Sequence, residues 1–281
     1  MDNLYKKELT EEEFKKFRDY IYKKSGINYT INKKIILQNR IRRRLRDLGL
    51  NSYLEYFNLI KNKPIDSPEM IKFFDEVTTN ETSFFRHERQ FVALKSMIIP
   101  ELLEIKRNKD LNVWSAAASM GKEAYTISMV LKETVGLHNY KMKILGTDLN
   151  NKVLNMAKLG EYDIKDGKDI PREYEKYVIR DKENGILKIK EDLKKMIEFK
   201  RFNLKESYSF FPKMDVIFCR NVFIYFEKKT QKEMVDKFYD RLIPGGFFIL
   251  GHSETLNGVS DKFIYRKFNG ENLMIYQKPL K

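Results

Sequence analysis

From Leu111 onward, short apolar segments alternate with helical ones, and this alternation constrains the fold more than any other feature of the sequence. The segments expected as strands are 111–115, 143–148, 215–219, 247–250 and 273–277, with a turn at 244–246. Apolar strands separated by helices and short loops predict an α/β fold built on a doubly wound sheet. Ligands of such sheets bind in the crevice at the carboxyl ends of the strands.

The first part of the chain follows a helical pattern instead. Thr10 precedes three glutamates, as an N-cap residue does, and apolar residues then recur at helical spacing. Gly26 and Gly49 indicate helix ends. No alternating strand pattern is present here, so an all-helical N-terminal domain is expected.

These patterns divide the chain into two expected domains. Residues 1–78 form the helical domain, and residues 79–281 form the sheet domain. Within the latter, 185–190 alternates between apolar and polar residues as an antiparallel strand does. We therefore expect a small inserted antiparallel β-subdomain over about 160–202.

The basic residues of the sequence are concentrated in one expected helix. The chain carries 54 Lys and Arg against 40 Asp and Glu, and seven of the basic residues, with no acid among them, lie in 33–46. An apolar stripe on this helix is formed by Leu37, Ile41, Leu45 and Leu48. Arg40, Arg43 and Arg44 fall largely opposite that stripe. They predict a basic surface that docks an acidic partner.

Composition excludes several other classes of protein. A single cysteine, Cys219, allows no intramolecular disulfide, and with only three histidines we expect no metal site. Cys219 itself is expected to be a buried strand residue. The chain starts without an apolar signal segment and has no apolar run near the roughly 18 residues of a membrane span. We expect a cytoplasmic protein that does not insert into membranes.

The residues at the strand ends indicate which ligand the crevice binds. Neither Gly-x-Gly-x-x-Gly nor a P-loop occurs; the loop after the first strand contains small residues and one glycine, Gly121. Such a loop allows close approach of a ligand to the backbone. Asp148 ends the second strand, where a carboxylate can accept both hydroxyls of a ribose. A nucleoside without a pyrophosphate fits this pair, and S-adenosylmethionine is one; the alternative is that Asp148 only caps the next helix.

Four longer motifs resemble the signatures of the CheR-type chemotaxis receptor methyltransferases. They are TTNETSFFR at 78–86, WSAAASMGKEAY at 114–125, GTD at 146–148 and FCRNVFIYF at 218–226, and GHSE at 251–254 resembles a fifth. The resemblance runs in order along nearly the whole chain. It implies a class I, Rossmann-like fold and transfer of a methyl group from S-adenosylmethionine to glutamate side chains of chemoreceptors, leaving S-adenosylhomocysteine.

The same resemblance implies roles for individual residues near the donor. Asn80, Thr82 and Arg86 would reach the donor from the linker between the domains, with Arg86 holding its methionyl carboxylate. Glu123 would face its ammonium group, and Asp148 its ribose.

Further residues are implied for the adenine and the methyl group. Asn203 and Leu204 would contact the adenine, while Arg220 and Asn221 would lie beside the sulfonium. Tyr225 would lie near the methyl group, unless it is only a core aromatic. Arg86 and Tyr225 are thus the candidate catalytic residues, and no general base is required.

One motif departs from the family pattern. The loop usually reads STGEEPY, whereas here it is SMGKEAY, so that Lys122 replaces the first acid and Glu123 keeps the second. We expect this change to affect donor affinity more than fold or reaction.

Two other functions remain open at this stage. A nucleic-acid methyltransferase would account for the basic charge, but the Asn/Asp-Pro-Pro-aromatic motif of base-amine methyltransferases is absent. A binding module that has lost turnover would account for the altered loop. We expect a monomer that docks the cytoplasmic helical region of chemoreceptors through Arg40, Arg43 and Arg44, without nucleic acid as a partner.

Overall fold

Four helices form the N-terminal part of the computed structural model, which describes residues 7–281. They are α1 (Glu11–Ser25), α2 (Lys34–Leu48), α3 (Tyr53–Ile60) and α4 (Pro68–Val77). Thr10 caps α1 in a reciprocal pair with Glu13, and Gly26 and Gly49 end α1 and α2 in the left-handed conformation that glycine adopts without strain. The predicted helix boundaries at Thr10, Gly26 and Gly49 are confirmed.

An aromatic core holds these helices together. The rings of Phe17, Tyr56 and Phe73 lie within 6.3 Å of one another, centre to centre. Helix α2 contributes the predicted apolar stripe to this core, with Leu37, Ile41 and Leu45 fully buried. Leu48, at the end of the stripe, remains 39% exposed. None of the helices within residues 7–281 is long and apolar enough to cross a membrane.

A seven-stranded sheet forms the larger part of the molecule. Its strands are β1 (Asp110–Ala116), β2 (Lys141–Asp148), β6 (Ile197–Arg201), β7 (Met214–Cys219), β8 (Leu242–Leu250), β9 (Ile264–Phe268) and β10 (Glu271–Gln277). The spatial order is β6-β2-β1-β7-β8-β10-β9, and β10 alone runs opposite to the other six strands. The predicted α/β sheet is confirmed.

Helices cover both faces of this sheet. One face packs against α5 (Arg89–Ala93), which continues through a π-helical turn (Leu94–Ile98) into α6 (Ile99–Ile105), and against α7 (Lys122–Lys132) and α8 (Asn151–Leu159). The other face packs against α10 (Lys228–Arg241). Successive strand residues alternate between the two cores, as Val113 and Trp114 do.

A small antiparallel sheet is inserted between α8 and β6. It contains β3 (Glu161–Asp163), β4 (Val178–Asp181) and β5 (Ile186–Ile189), with β5 in the centre, and the short helix α9 (Glu191–Lys194) follows. The predicted insertion is present, but its predicted range, 160–202, extends too far. Strand β6 pairs in parallel with β2 and belongs to the large sheet. Alternation within a strand does not reveal which sheet the strand joins.

The predicted turn at 244–246 is also wrong. Strand β8 continues through Pro244, Gly245 and Gly246, and its register against β7 shifts there. The Gly245 amide donates to the Lys278 carbonyl, and the Lys278 amide donates to the Gly246 carbonyl. The backbone amide of Gly245 and the carbonyl of Gly246 thus form hydrogen bonds with a residue distant in sequence, where a turn would have relied on bonds between neighbouring residues.

Candidate active site

A cavity of about 470 Å³ lies at the carboxyl ends of β1, β2 and β7, beneath α1, α2 and the linker that follows α4. All ten residues predicted from the motifs line its wall: Asn80, Thr82, Arg86, Glu123, Asp148, Asn203, Leu204, Arg220, Asn221 and Tyr225. Both the helical part and the sheet part contribute to the wall. The structure therefore brings together residues that lie up to 145 positions apart in the sequence (80 to 225).

Asp148 is held in the wall by backbone amides. Its Oδ2 accepts a hydrogen bond from the Ser119 amide at 2.8 Å, and its Oδ1 accepts one from the Asn150 amide at 2.9 Å. Burial raises the pKa of Asp148 to about 6, although these hydrogen bonds oppose the shift. The cap of α8 is Asn150, whose side chain accepts from the Val153 amide, so capping is not the role of Asp148.

The loop after β1 approaches the cavity through alanines and a serine rather than through its glycine. Ala117 and Ser119 line the wall with φ values of +63° and +50°, a region that costs non-glycine residues free energy. Gly121 lies behind them with φ of +84°, and a Cβ there would meet Ala157 at 2.8 Å and Phe199 at 2.9 Å. The small residues of the loop thus approach the cavity as predicted, whereas Gly121 itself is required for packing against α8 and β6.

Lys122, the departure from the family motif, points away from the cavity. Its side chain is buried, and its ammonium group pairs with Asp166 Oδ1 at 2.9 Å. The same group lies over the rings of Phe84 and Tyr162, at 5.9 and 5.5 Å from their centres. Lys122 therefore ties α7 to the inserted small sheet. Because Lys122 does not line the cavity, no direct contact with a bound donor supports the expected effect on donor affinity.

Arg220 and Glu123 form a buried ion pair at one end of the cavity. Arg220 Nη1 lies 3.0 Å from Glu123 Oε2, and Glu123 Oε1 accepts from the Ser115 hydroxyl at 2.7 Å. Arg220 Nη2 donates to the Arg86 carbonyl, while Arg220 Nε is buried without a hydrogen-bond partner in the described part of the chain. Burial lowers the pKa of Arg220, and Glu123 opposes that shift. The Arg220 guanidinium also lies over the Phe91 ring, 5.1 Å from its centre, so its charge is held by internal contacts.

The GHSE motif has a structural role that sequence reasoning missed. The buried carboxylate of Glu254 accepts hydrogen bonds from the amides of Asn221, Val222, Phe223 and Gly251, all at 2.7–2.8 Å. It holds the loop after β7 with Asn221 in the left-handed region, at φ +59°. The motif was recognised from the sequence, but nothing in it indicated which amides the carboxylate would bind.

Tyr225 lies on the wall and is only partly buried, whereas Phe223 beside it belongs to the core. The Lys33 ammonium lies 5.2 Å from the centre of the Tyr225 ring, and the Tyr225 carbonyl accepts from the Asn28 amide at 2.8 Å. The core-aromatic alternative therefore does not describe Tyr225. Lys33 and Asn28, which also line the cavity, were not predicted as site residues.

Asn203 joins the two parts of the molecule behind the cavity. Its side-chain amide donates to the Lys24 carbonyl at the end of α1, at 2.8 Å, and its Oδ1 accepts from the Lys205 amide at 3.1 Å. Leu204 beside it is buried. The Asn203 side chain is thus committed to internal bonds.

The sequence predicted that Arg40, Arg43 and Arg44 form an exposed basic face on α2. This prediction is wrong for Arg44 and Arg40, and only Arg43 is exposed. Arg44 is buried and pairs with Glu69, with Nη2 to Oε2 at 2.9 Å, and with Asp47 at 2.7 Å. Arg43 is exposed and pairs with Glu76 at 3.0 Å. Helical periodicity orients side chains around α2 but does not reveal that α4, which carries Glu69 and Glu76, packs beside it.

Arg40 lines the cavity instead of the outer surface. Its Nη1 donates to the Tyr29 hydroxyl at 2.7 Å and to the Val77 carbonyl at 2.8 Å, and its Nη2 donates to the Thr79 hydroxyl at 3.0 Å. Arg40 therefore ties α2 to the linker that carries Asn80 and Thr82. Neither this role nor the presence of Tyr29 in the wall was predicted.

The sheet order, the strand-end Asp148 and the small-residue loop after β1 together define a class I methyltransferase that uses S-adenosylmethionine. Comparison with known families specifies it further. The model described as "CheR methyltransferase, SAM binding domain" matches residues 80–270, and the one described as "CheR methyltransferase, all-alpha domain" matches residues 12–78. The chain belongs to the CheR methyltransferase family.

Characterised relatives cover nearly the whole chain. The chemotaxis protein methyltransferase of Borreliella burgdorferi is 36% identical over 89% of this chain and 90% of its own length. Chemotaxis protein methyltransferase 2 of Pseudomonas aeruginosa is 35% identical, over 88% of this chain and 87% of its own. The Escherichia coli chemotaxis protein methyltransferase is 33% identical, over 92% and 89%. The predicted activity, S-adenosylmethionine-dependent methylation of chemoreceptors, is confirmed at the level of the family.

Proposed function

We propose that the ten wall residues hold S-adenosylmethionine and present its methyl group to a glutamate side chain on the cytoplasmic helical region of a chemoreceptor. The observation that carries this proposal is their convergence on one cavity bordered by both parts of the molecule. The reaction forms a glutamate methyl ester and leaves S-adenosylhomocysteine. We further propose that the enzyme acts in the cytoplasm as a monomer.

The charges of the wall fit a zwitterionic nucleoside. Asp148 is placed to accept ribose hydroxyls, since each of its oxygens keeps a lone pair beyond its backbone bond. Arg86 is suited to a carboxylate, and Glu123 to an ammonium group. Asn203 would act here through its position rather than its side-chain amide, which is already bonded to Lys24.

The chemistry asks the chain mainly to position its reactants. S-adenosylmethionine supplies an electrophilic methyl group when bound. A glutamate carboxylate has a reference pKa near 4.3 and is already an anionic nucleophile at neutral pH, so no general base is needed. The wall residues bind, orient and exclude water, and such positioning can contribute about 7–11 kcal/mol. We assign Tyr225 to orienting the glutamate beside the methyl position.

The receptor is attracted by a smaller basic surface than the sequence predicted. Arg43 and Arg46 on α2 are exposed, whereas Arg40 and Arg44 are committed to internal bonds. We propose that the exposed pair steers an acidic receptor surface towards the cavity, because complementary charges accelerate encounter.

Labelled methyl transfer to receptor cytoplasmic fragments tests the function. We expect base-labile label on glutamate with the wild-type enzyme, and a clearly lower rate of labelling with Asp148→Ala at donor concentrations that just saturate the wild type. Donor binding without transfer to any fragment would favour the binding-module alternative. Preferential labelling of duplex DNA or of RNA would contradict the proposal.

A further inference from the structure

Exposed isoleucines lie on the cavity wall and along the adjoining start of α2. Ile31, in the short 3-10 helix before α2, is 56% exposed, and Ile35 and Ile36, in the first turn of α2, are 69% and 47% exposed. Ile224, next to Tyr225, is 56% exposed. Ile36 and Ile224 also line the cavity wall. We call these four residues the isoleucine rim.

The rim is not needed for the core of the helical part. Helix α2 already buries Leu37, Ile41 and Leu45 on its inner side. Isolated exposed aliphatic side chains are normal on a protein surface, but several together beside a site indicate a contact surface. Ile36 and Ile224, which are far apart in sequence, both reach the cavity wall, and Ile31 and Ile35 extend the exposed apolar surface from Ile36.

The surface changes from apolar to basic along α2. Beyond the rim the exposed residues include Arg43 and Arg46, and Arg46 lies eleven positions after Ile35. At 1.5 Å per residue this is roughly 16 Å along the helix. A partner that fits this surface presents apolar side chains beside the glutamate that enters the cavity, and carboxylates roughly 16 Å away from them.

We propose that the isoleucine rim contacts apolar side chains of the receptor next to the glutamate being methylated, and so selects among glutamates. The inference rests on the function proposed above. The occupant is the receptor segment itself because the rim is continuous with the cavity that its glutamate must enter. Residues three and four positions apart share one face of a helix. We therefore expect methylated glutamates to have an apolar residue at one of those spacings.

The double variant Ile31→Ser/Ile35→Ser tests the rim without touching residues assigned to donor or catalysis. Val135→Ser is its matched control. Val135 is 85% exposed in the turn between α7 and β2, at the amino ends of the strands and away from the cavity. We expect the double variant to raise KM for a receptor cytoplasmic fragment about tenfold, the scale of truncating two contact residues. Donor affinity by calorimetry and Tm should match the wild type, and the control should change nothing.

Receptor fragments provide the second half of the test. Changing the apolar residue near a methylated glutamate to serine should raise KM for the wild type, with little further effect in the double variant, as coupled contacts behave. A KM within twofold of the wild type, additive effects, or an equal loss of donor affinity would overturn the rim. The proposal would also be overturned if the double variant lost binding to phosphatidylcholine–phosphatidylglycerol vesicles while its KM for the receptor fragment stayed unchanged. Absence of any receptor methylation by the wild type would instead contradict the proposed function itself.

Discussion

Asp148 shows how a single residue can report on donor binding. Because burial raises its pKa to about 6, above the value of about 3.8 in an unfolded chain, the folded protein takes up a proton more readily. This group therefore stabilises the fold less as pH rises from about 4 to 6. In the donor-binding role proposed above, the ionised form of Asp148 is the one that would accept two ribose hydroxyls.

We expect Asp148→Asn to weaken S-adenosylmethionine binding about 10- to 100-fold, the loss of hydrogen bonds to a charged group. Wild-type affinity should also fall as pH drops below about 6, where Asp148 takes up its proton. Calorimetry at several pH values measures both. The variant should lack the wild type's pH dependence; equal pH profiles would remove Asp148 from the ribose role.

Tyr225→Phe should lower kcat by up to about tenfold, the value of one hydrogen bond made in the transition state, with donor affinity within a few fold. Tyr265→Phe is the matched control, since Tyr265 lies on β9 and outside the cavity wall. Steady-state kinetics and calorimetry separate the two effects. Unchanged kcat in Tyr225→Phe would leave the hydroxyl without a role.

Arg44 and Arg43 are adjacent in sequence but should differ sharply in stability. Arg44→Met leaves the partly buried Glu69 carboxylate without its cation, and we expect a loss of about 3 kcal/mol in the free energy of unfolding. Arg43→Met removes an exposed pair and should change it by less than about 1 kcal/mol. Urea unfolding gives both values. Similar losses for the two variants would contradict the burial of Arg44.

At the scale of an element, Glu254 controls the loop between β7 and α10. A glutamine presents one acceptor oxygen and an NH₂ group to four amide donors, so Glu254→Gln should loosen Asn221–Tyr225. We expect faster hydrogen exchange at the amides of Asn221, Val222 and Phe223 and a lower kcat. Ser253→Ala, at the exposed neighbouring position, is the control. Unchanged hydrogen exchange in Glu254→Gln would show that the Glu254 carboxylate is not needed to keep the loop ordered.

For the whole molecule, a net charge of +14 and an exposed Arg43–Arg46 surface make the encounter with an acidic receptor sensitive to salt. Charges are screened beyond about 10 Å at 0.1 M salt, so KM for receptor fragments should rise with ionic strength. Arg43→Glu/Arg46→Glu should raise KM at low salt and flatten this dependence. Donor affinity should stay constant throughout. A salt-independent KM for the wild type would argue against steering by charge.

The sequence by itself determined those features that depend on neighbouring residues or on a contiguous motif. The Thr10 cap, the ends of α1 and α2 at Gly26 and Gly49, and the strand ending at Asp148 all followed from local chemistry. The family motifs likewise indicated which residues would line one cavity, because the residues of each motif lie together in one loop or at one strand end.

Only the tertiary structure decided which distant groups each side chain meets. It paired Arg44 with Glu69 of α4, turned Arg40 inward to Val77 and Thr79, and placed β6 in the large sheet. Helical and strand periodicity specify the direction of a side chain relative to its own element. The partners of a buried charge come from other elements, and their positions depend on how the whole chain packs.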